Sequence, residues 1–311
     1  MGGKSEQRSC GRRVNPLYIN DLVGSLDTTS ASEAQLTEEL ASGSRVNALS
    51  DDPVAVGQNV LLSAQIGSDD TFSQTAASTQ SMLQVTDSAL GTVVSQMTSA
   101  ISLATEANSG TMNSSDMEAM SNQLTGIRDE VLSLANTTYL GQYVFSGSQG
   151  TTQPFTLNPA APSGVTYNGD STPTATRYLE TPNGQKIQLN IPGSQIFTAN
   201  GSNVLGTLNV LIADFSSGTA SPTAEADAQS LSTALGYGSQ QRVIIDNSLT
   251  RLQAAENYTQ SESTQLTSAQ TTLLQADVGQ VATGLSTAET QQAALSQVIA
   301  TLGKQSLFND L

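Results

Sequence analysis

The sequence predicts a mainly α protein. It reads as an elongated antiparallel bundle of long helices, with a coiled coil formed by the N- and C-terminal segments and a small inserted β domain. Three observations lead there. Apolar residues recur at alternating three- and four-residue spacing near both ends of the chain and through much of its first half. Seven of the nine prolines fall between residues 154 and 222, among many glycines, where that period stops. Hydrophobic residues are 37% of the 311 and tryptophan is absent, too little apolar mass for one thick core but enough for thin helical packing.

Composition also removes whole classes of function. There is no histidine, the commonest general base and metal ligand, and the single cysteine is Cys10. No catalytic, cofactor or metal site is therefore expected, and no enzyme. A net charge of −16 argues against a nucleic-acid partner. No apolar run approaches the roughly 18 residues of a membrane span.

Residues 1–13, MGGKSEQRSCGRR, hold four of the eleven basic residues and are followed by no apolar signal-peptide stretch. They read as a disordered tail or as a start placed upstream of a true one near Val14, the second being favoured. Residues 14–43 with 271–311 form the expected terminal coiled-coil stem. On the first strand of that stem Leu22, Leu26, Leu36 and Leu40 hold the period, which stops at Ser42-Gly43. On the last, Leu274, Val278, Val281, Leu285, Ala288, Gln292, Leu295, Ile299 and Leu302 keep strict four–three spacing, the mark of a coiled-coil seam.

Residues 44–147 with 204–270 are expected to form a helical rod. One helix runs from Pro53 to Asn108-Ser109-Gly110, about 80 Å at 1.5 Å per residue, with its clearest stripe at Leu83, Thr86, Leu90, Val93, Met97, Ile101 and Ala104. The next starts at a capping box, Ser115 with Glu118, and carries Met117, Met120, Leu124, Ile127, Val131 and Leu134. A short helix is expected at 204–215. Helix resumes at Ser221-Pro222, weakens at Gly236-Tyr237-Gly238, and continues over 240–270 through Ile245, Leu249, Leu252, Tyr258 and Leu266. The inserted β domain occupies 148–203, with strands near 165–168, 175–180 and 186–191 and a hairpin at Asn183-Gly184. Glycines at 141, 147 and 150 read as turns and not as a phosphate loop. Asn113, Asn136 and Asn257 match the glycosylation pattern at chance level in so polar a chain.

Between the stem and the rod lies SGSRVNALSDDPVAV, residues 42–56. Its carboxylates Asp51 and Asp52 could suggest a metal or acid–base pair, but they fit a helix start better. Asp52 suits the cap and Pro53 the first helical position, whose missing N–H was not needed. Negative charge there also favours the helix dipole. Arg45 and Asn47 are left as candidates for a contact between subunits.

The pattern S-G-x-R-V-N-x-x-x-D-D-P over residues 42–53, with the layout of terminal coiled coil, helical rod and inserted β domain, resembles flagellin-type axial proteins. Within that group, Asp-Asp-Pro, the stretch LANTTYLGQYVFSGSQGTTQPF at 134–155 and the ending KQSLFNDL resemble the hook-filament junction (hook-associated) family. The resemblance implies a structural protein outside the cell, exported through the flagellar type III channel without a cleavable signal. It also implies its partners: copies of itself, a neighbouring hook-associated protein, flagellin and an export chaperone. A flagellin filament subunit is the alternative, and an unrelated coiled-coil surface fibre or adhesin a more distant one.

Overall fold

The computed structural model describes residues 16–107, 112–161, 163–199, 203–218 and 224–307. The expectations for residues 1–13, for the stop at 108–110 and for the start at Ser221-Pro222 lie outside them. The chain divides into two compact units, Met1–Ile66 with Thr264–Leu311, and Gly67–Ser263. Helices α2 (Pro53–Ala107) and α6 (Ala224–Leu274) contribute residues to both.

In the first unit α1 (Pro16–Ser42) pairs with α7 (Val278–Leu307). Two close approaches fix an antiparallel register. Gln292 Nε2 donates to Ser30 Oγ at 3.1 Å, and a Cβ built on Gly284 would lie 3.4 Å from Leu36 Cδ1. Val281 and Ala288 are buried, while Leu22, Leu26, Leu36, Leu285, Leu295, Ile299 and Leu302 are half-buried, as expected of a pair with no third helix. The expected seam is too long at one end: Leu40 is 39% and Val278 56% exposed. Val278 is the first residue of its helix and Leu40 lies in the last turn of its own, so neither has a full turn of partner beside it. The seam also does not run through Leu274. That residue ends α6, and Gln275–Asp277 separate it from α7.

The second unit is built on α2. From Asp69 to Ala107 every position in the series 69, 72, 76, 79, 83, 86, 90, 93, 97, 100, 104, 107 is buried. The stripe thus starts earlier than expected and passes through Ala100, leaving Ile101 half-buried at its edge. In α6 the buried series is Leu231, Ala234, Gly238, Gln241, Ile245, Ser248, Leu252 and Thr259. Here two expectations fail. The helix does not weaken at Gly236-Tyr237-Gly238, because Gly238 sits on the buried face and tertiary packing outweighs a glycine's cost of roughly 1 kcal/mol. The stripe also takes Thr259 and leaves Tyr258 exposed, since spacing rather than hydrophobicity selects the inward residue. Arg242 spans to α2, with Nε and Nη2 on the Asp87 carboxylate at 2.8 and 3.0 Å.

Helix α3 (Ser114–Ala135) does begin at a capping box, but two residues before the expected one. Asn113 Oδ1 accepts the N–H groups of Ser115 and Asp116, and Asp116 accepts the N–H of Asn113. Asparagine caps as well as serine does, so the motif is satisfied by Asn113, two positions before the expected residue. Helix α5 (Val204–Ser216) lies against α3, with Ser121 Oγ donating to the Ile212 carbonyl at 3.0 Å.

The insert is three separate antiparallel ladders: β1 (Thr138–Tyr139) with β2 (Gln142–Tyr143), β3 (Phe155–Leu157) with β4 (Val165–Tyr167), and β5 (Tyr178–Glu180) with β6 (Lys186–Gln188). The first ladder precedes the expected boundary at 148. Strands this short cannot bury a face alone. Phe145, Phe155 and Phe197 supply the core instead, with edge-on rings whose centroids are 5.4 Å apart in both pairs. Helix α4 (Gly193–Phe197) starts where only glycine fits, since a Cβ on Gly193 would stand 2.7 Å from Phe155 Cε2. These aromatics belong to the same buried cluster as α2, α3, α5 and α6. Asn136 holds both backbone groups of Phe155 at 2.9 Å, and Asn190 holds Arg177, Ala175 and Gly147.

Truncating Phe155 to alanine therefore removes a fully buried ring from the shared cluster. The expected cost is about 3–5 kcal/mol in urea unfolding followed by circular dichroism. The exposed Tyr178→Ala should stay within about 0.5 kcal/mol.

Candidate functional site

The chain turns twice in the first unit, and the two turns meet. One is Gly43–Asp52, between α1 and α2; the other is Gln275–Asp277, between α6 and α7. Gly43 ends α1 with φ +68°, a left-handed conformation that a side chain would strain. Its carbonyl accepts the N–H of Ala276 at 3.0 Å, and the Arg45 N–H donates to the Leu274 carbonyl at 2.7 Å. Ser44 and Gln275 thus form one antiparallel bridge between segments 230 residues apart. Ser44 Oγ lies 3.0 Å from the Val46 carbonyl and 3.2 Å from that of Leu274. Val46, Ala55 and Ala276 are buried.

Asp51 and Asp52 act on different segments. Asp52 Oδ1 accepts the N–H groups of Val54 and Ala55 at 3.2 and 3.0 Å and caps α2, with Pro53 as its first residue. Asp52 Oδ2 meets Arg45 Nη1 at 3.1 Å. Asp51 does not serve the helix at all. Its Oδ2 accepts the N–H groups of Asn47 and Ala48 at 3.0 and 2.8 Å and folds the loop back on itself.

Both carboxyls are held below the ordinary 3.8. For Asp51 the main cause is the Ala48 N–H and then that of Asn47; for Asp52 it is the Ala55 N–H and then the Arg45 guanidinium. Arg45 and Asn47, expected at a subunit contact, are engaged within the chain. Arg45 also donates to the Leu273 carbonyl at 3.3 Å, and the Asn47 amide donates to Ser42 Oγ and the Ser44 carbonyl. The Arg45 side chain is still 47% exposed. Beside it a shallow groove is lined by Gln265, Ser268, Ala269, Thr272 and Leu273.

The second turn escaped the sequence reading. Asp277 Oδ1 accepts the N–H groups of Gly279 and Gln280 at 2.9 and 3.1 Å, so it caps α7 as Asp52 caps α2. The signal was present as Asp-Val-Gly, hidden because the four-residue step from Leu274 to Val278 keeps the heptad count across the break. Among the described residues no three acidic, histidine or cysteine side chains come together as metal ligands, and no helix is long and apolar enough to cross a membrane. The joint is built to pair backbone and to set the path of the chain between helices.

Residues 19–150 match the bacterial flagellin N-terminal helical region, which takes in α1, the first turn, α2, α3 and the β1–β2 hairpin. Flagellar hook-associated protein 3 of Salmonella typhimurium is 28% identical over 61% of the chain, and that of Escherichia coli 35% identical over 45%. Over those residues the chain is similar to flagellin-type proteins. The matches span 57% and 44% of those two relatives' own lengths, so about half of each. Similar folds recur among solved structures. A protein of Vibrio parahaemolyticus assigned as a flagellar hook-associated protein superposes with TM-score 0.62 at 20% identity, covering 72% of this chain and 99% of that one. Hook-associated protein 3 of Legionella pneumophila superposes with TM-score 0.59 at 15% identity, covering 68% and 98%. At such identities the likeness is one of fold.

Acid should loosen the joint. Both carboxyls titrate lower when folded than when unfolded, so their contribution is complete above about pH 4 and lost as pH falls through the depressed folded values. A carboxyl-carbon NMR titration should put both midpoints below 3.8. Asp51→Asn and Asp52→Asn should each remove one step and weaken the joint at neutral pH. Asp170, lowered in the same sense by Ser148 and Thr172, makes whole-chain acid melting a poorer readout than this local one.

Proposed function

We propose that the protein is a structural subunit of the bacterial flagellum, placed at the hook-filament junction, where it links the hook to the filament and presents a surface on which flagellin assembles. The observation that carries this reading is the pair of matches to hook-associated protein 3, which reach 61% and 45% of the chain. Matches to flagellins of Clostridium tyrobutyricum and Vibrio anguillarum are 25% and 28% identical over 43%. The protein works outside the cell after export through the flagellar channel. It has no catalytic role. Its partners are copies of itself, the neighbouring hook-associated protein, flagellin and an export chaperone.

The physical support is the incomplete burial of the terminal pair. An isolated two-helix pair is marginal in water, and most of the apolar seam of α1 and α7 keeps one side open. Assembly supplies the missing neighbours, so the ends order as the subunit is incorporated. In this reading residues 14–43 with 271–311 are the assembling stem, 44–147 with 204–270 the rod, and 148–203 an outward insert. Arg45, engaged within the chain but with its side chain 47% exposed, is available for a further ion pair with a neighbouring copy.

Deleting the gene should leave intact hooks without filaments, with flagellin lost to the medium as monomer. Leu295→Asp, which places a charge in the half-buried seam, should fail to restore filaments although Gly67–Ser263 keeps its fold by limited proteolysis. Normal filaments in the deletion strain would refute the junction role. Polymerisation of the purified protein alone into long filaments would favour a flagellin.

A further inference from the structure

The chain contains Asn-Gly at 168–169, 183–184 and 200–201, and the last pair lies outside the described residues. Asn-Gly is the peptide step most open to self-modification, because glycine puts no side chain in the way of its own N–H. That backbone nitrogen, once deprotonated, can attack the asparagine side-chain carbon. A nitrogen whose N–H is held in a hydrogen bond keeps its proton and is a poor nucleophile. Asn168 and Asn183 are both exposed, so access does not separate them. The hydrogen bonds of the nitrogens that follow them do.

At the tip of the β5–β6 hairpin, Pro182, Asn183 and Gly184 form the loop between Thr181 and Gln185. The Thr181 N–H donates to the Gln185 carbonyl at 2.8 Å, and the Gly184 N–H donates to the Thr181 carbonyl, also at 2.8 Å. Asn183 Oδ1 accepts the Thr181 hydroxyl. Nucleophile and electrophile are thus both tied. At the end of β4 the arrangement differs. The Asn168 N–H continues the β3–β4 ladder by donating to the Pro154 carbonyl at 2.8 Å, but among the described residues nothing accepts the Gly169 N–H. The restraint there is on the leaving nitrogen instead. Asn168 Nδ2 donates to Thr156 Oγ1 at 3.1 Å and, more weakly, to the Gln153 carbonyl at 3.5 Å. The fold also keeps a glycine in place, since a Cβ on Gly169 would stand 2.5 Å from the Tyr167 hydroxyl and 2.9 Å from the Ser146 carbonyl oxygen.

We infer that Asn168, and not the hairpin-tip Asn183, is a site of spontaneous deamidation in the folded protein. The Gly169 nitrogen gives its proton to solvent and forms a bond to Asn168 Cγ. The Cγ–Nδ2 bond breaks, and Nδ2 takes a proton from solvent and leaves as ammonia, which closes a cyclic succinimide. Water then opens the ring at either carbonyl and leaves aspartate or isoaspartate at position 168. Either product adds one negative charge to a chain of −16 and has no amide to offer Thr156. Isoaspartate also lengthens the backbone by one carbon next to Tyr167. The Tyr167 hydroxyl reaches the Phe145 carbonyl at 3.0 Å, and its ring packs on Phe155 with centroids 5.0 Å apart. The change therefore reaches the aromatic core of the insert.

The test is peptide mapping by mass spectrometry of the full-length protein held at mildly basic pH, with isoaspartate resolved by chromatography. In the folded chain Asn168 should convert about fivefold or more faster than Asn183, the factor that one backbone hydrogen bond of ordinary strength supplies. In the same chain unfolded by guanidinium the two should convert within about twofold of each other, because the hydrogen bonds that separate them are gone. Thr156→Val, which releases the Asn168 amide, should speed conversion at 168 and leave that at 183 unchanged. Equal rates at the two sites in the folded chain, or faster conversion at 183, would overturn the inference. So would the absence of conversion at 168 under conditions where the unfolded chain converts. An unchanged rate at 168 in a Thr156→Val chain that is folded by circular dichroism would count against it as well.

Discussion

Two backbone hydrogen bonds, Arg45 N–H to the Leu274 carbonyl and Ala276 N–H to the Gly43 carbonyl, hold together what the rest of the first unit needs. Every helix end leaves backbone groups without partners. Here four helix ends, those of α1, α2, α6 and α7, are brought to one place, and part of that need is met by pairing one turn with the other. The remainder falls to short acidic side chains. Asp52 and Asp277 cap the helices that leave the joint, and Asp51 closes the loop between. The Arg45–Asp52 ion pair adds little by itself because both groups are solvated. Its use is geometric, since the same guanidinium also reaches the Leu273 carbonyl and ties the capped helix to the opposite turn.

The same economy recurs where the helices give way to irregular chain. A protein of 37% hydrophobic content cannot cover every loop with apolar mass. Asn136 and Asn190 act there as substitutes for strand neighbours, each offering a donor and an acceptor to backbone that has no ladder of its own. The three ladders of the insert are too short to stand alone. They are stable because Phe145, Phe155 and Phe197 share one buried cluster with the helices.

Much of this was legible from spacing alone, and the failures have a common cause. The stripes of α2 and α3, the short helix α5 and the hairpin at Asn183-Gly184 announce themselves through period and turn residues, whereas β3 does not. Spacing counts residues, however, and not backbone continuity. It passed through the break at Gln275–Asp277 because Leu274 and Val278 stay in phase. It stopped at Gly236-Tyr237-Gly238, although the buried series runs straight through Gly238. At the candidate site the cap at Asp52 follows from residue type and the neighbouring proline, which are local facts. Asp51 and Asn47 act on loop groups within residues 42–51 that residue type alone does not mark, and the Arg45 contact to the Leu273 carbonyl depends on a segment more than 200 residues away.

The pairing of α1 with α7 sets the order in which the molecule can form. Ser30 and Gln292 are 262 residues apart, and closing so long a loop is entropically costly and slow. The buried cluster of the second unit draws only on residues between Phe72 and Leu252. A chain emerging end first can therefore complete that cluster while its stem still lacks half its residues. The terminal pair works as a clock: it cannot close until the last segment has arrived, so the surface that it forms is available only once the whole chain is present.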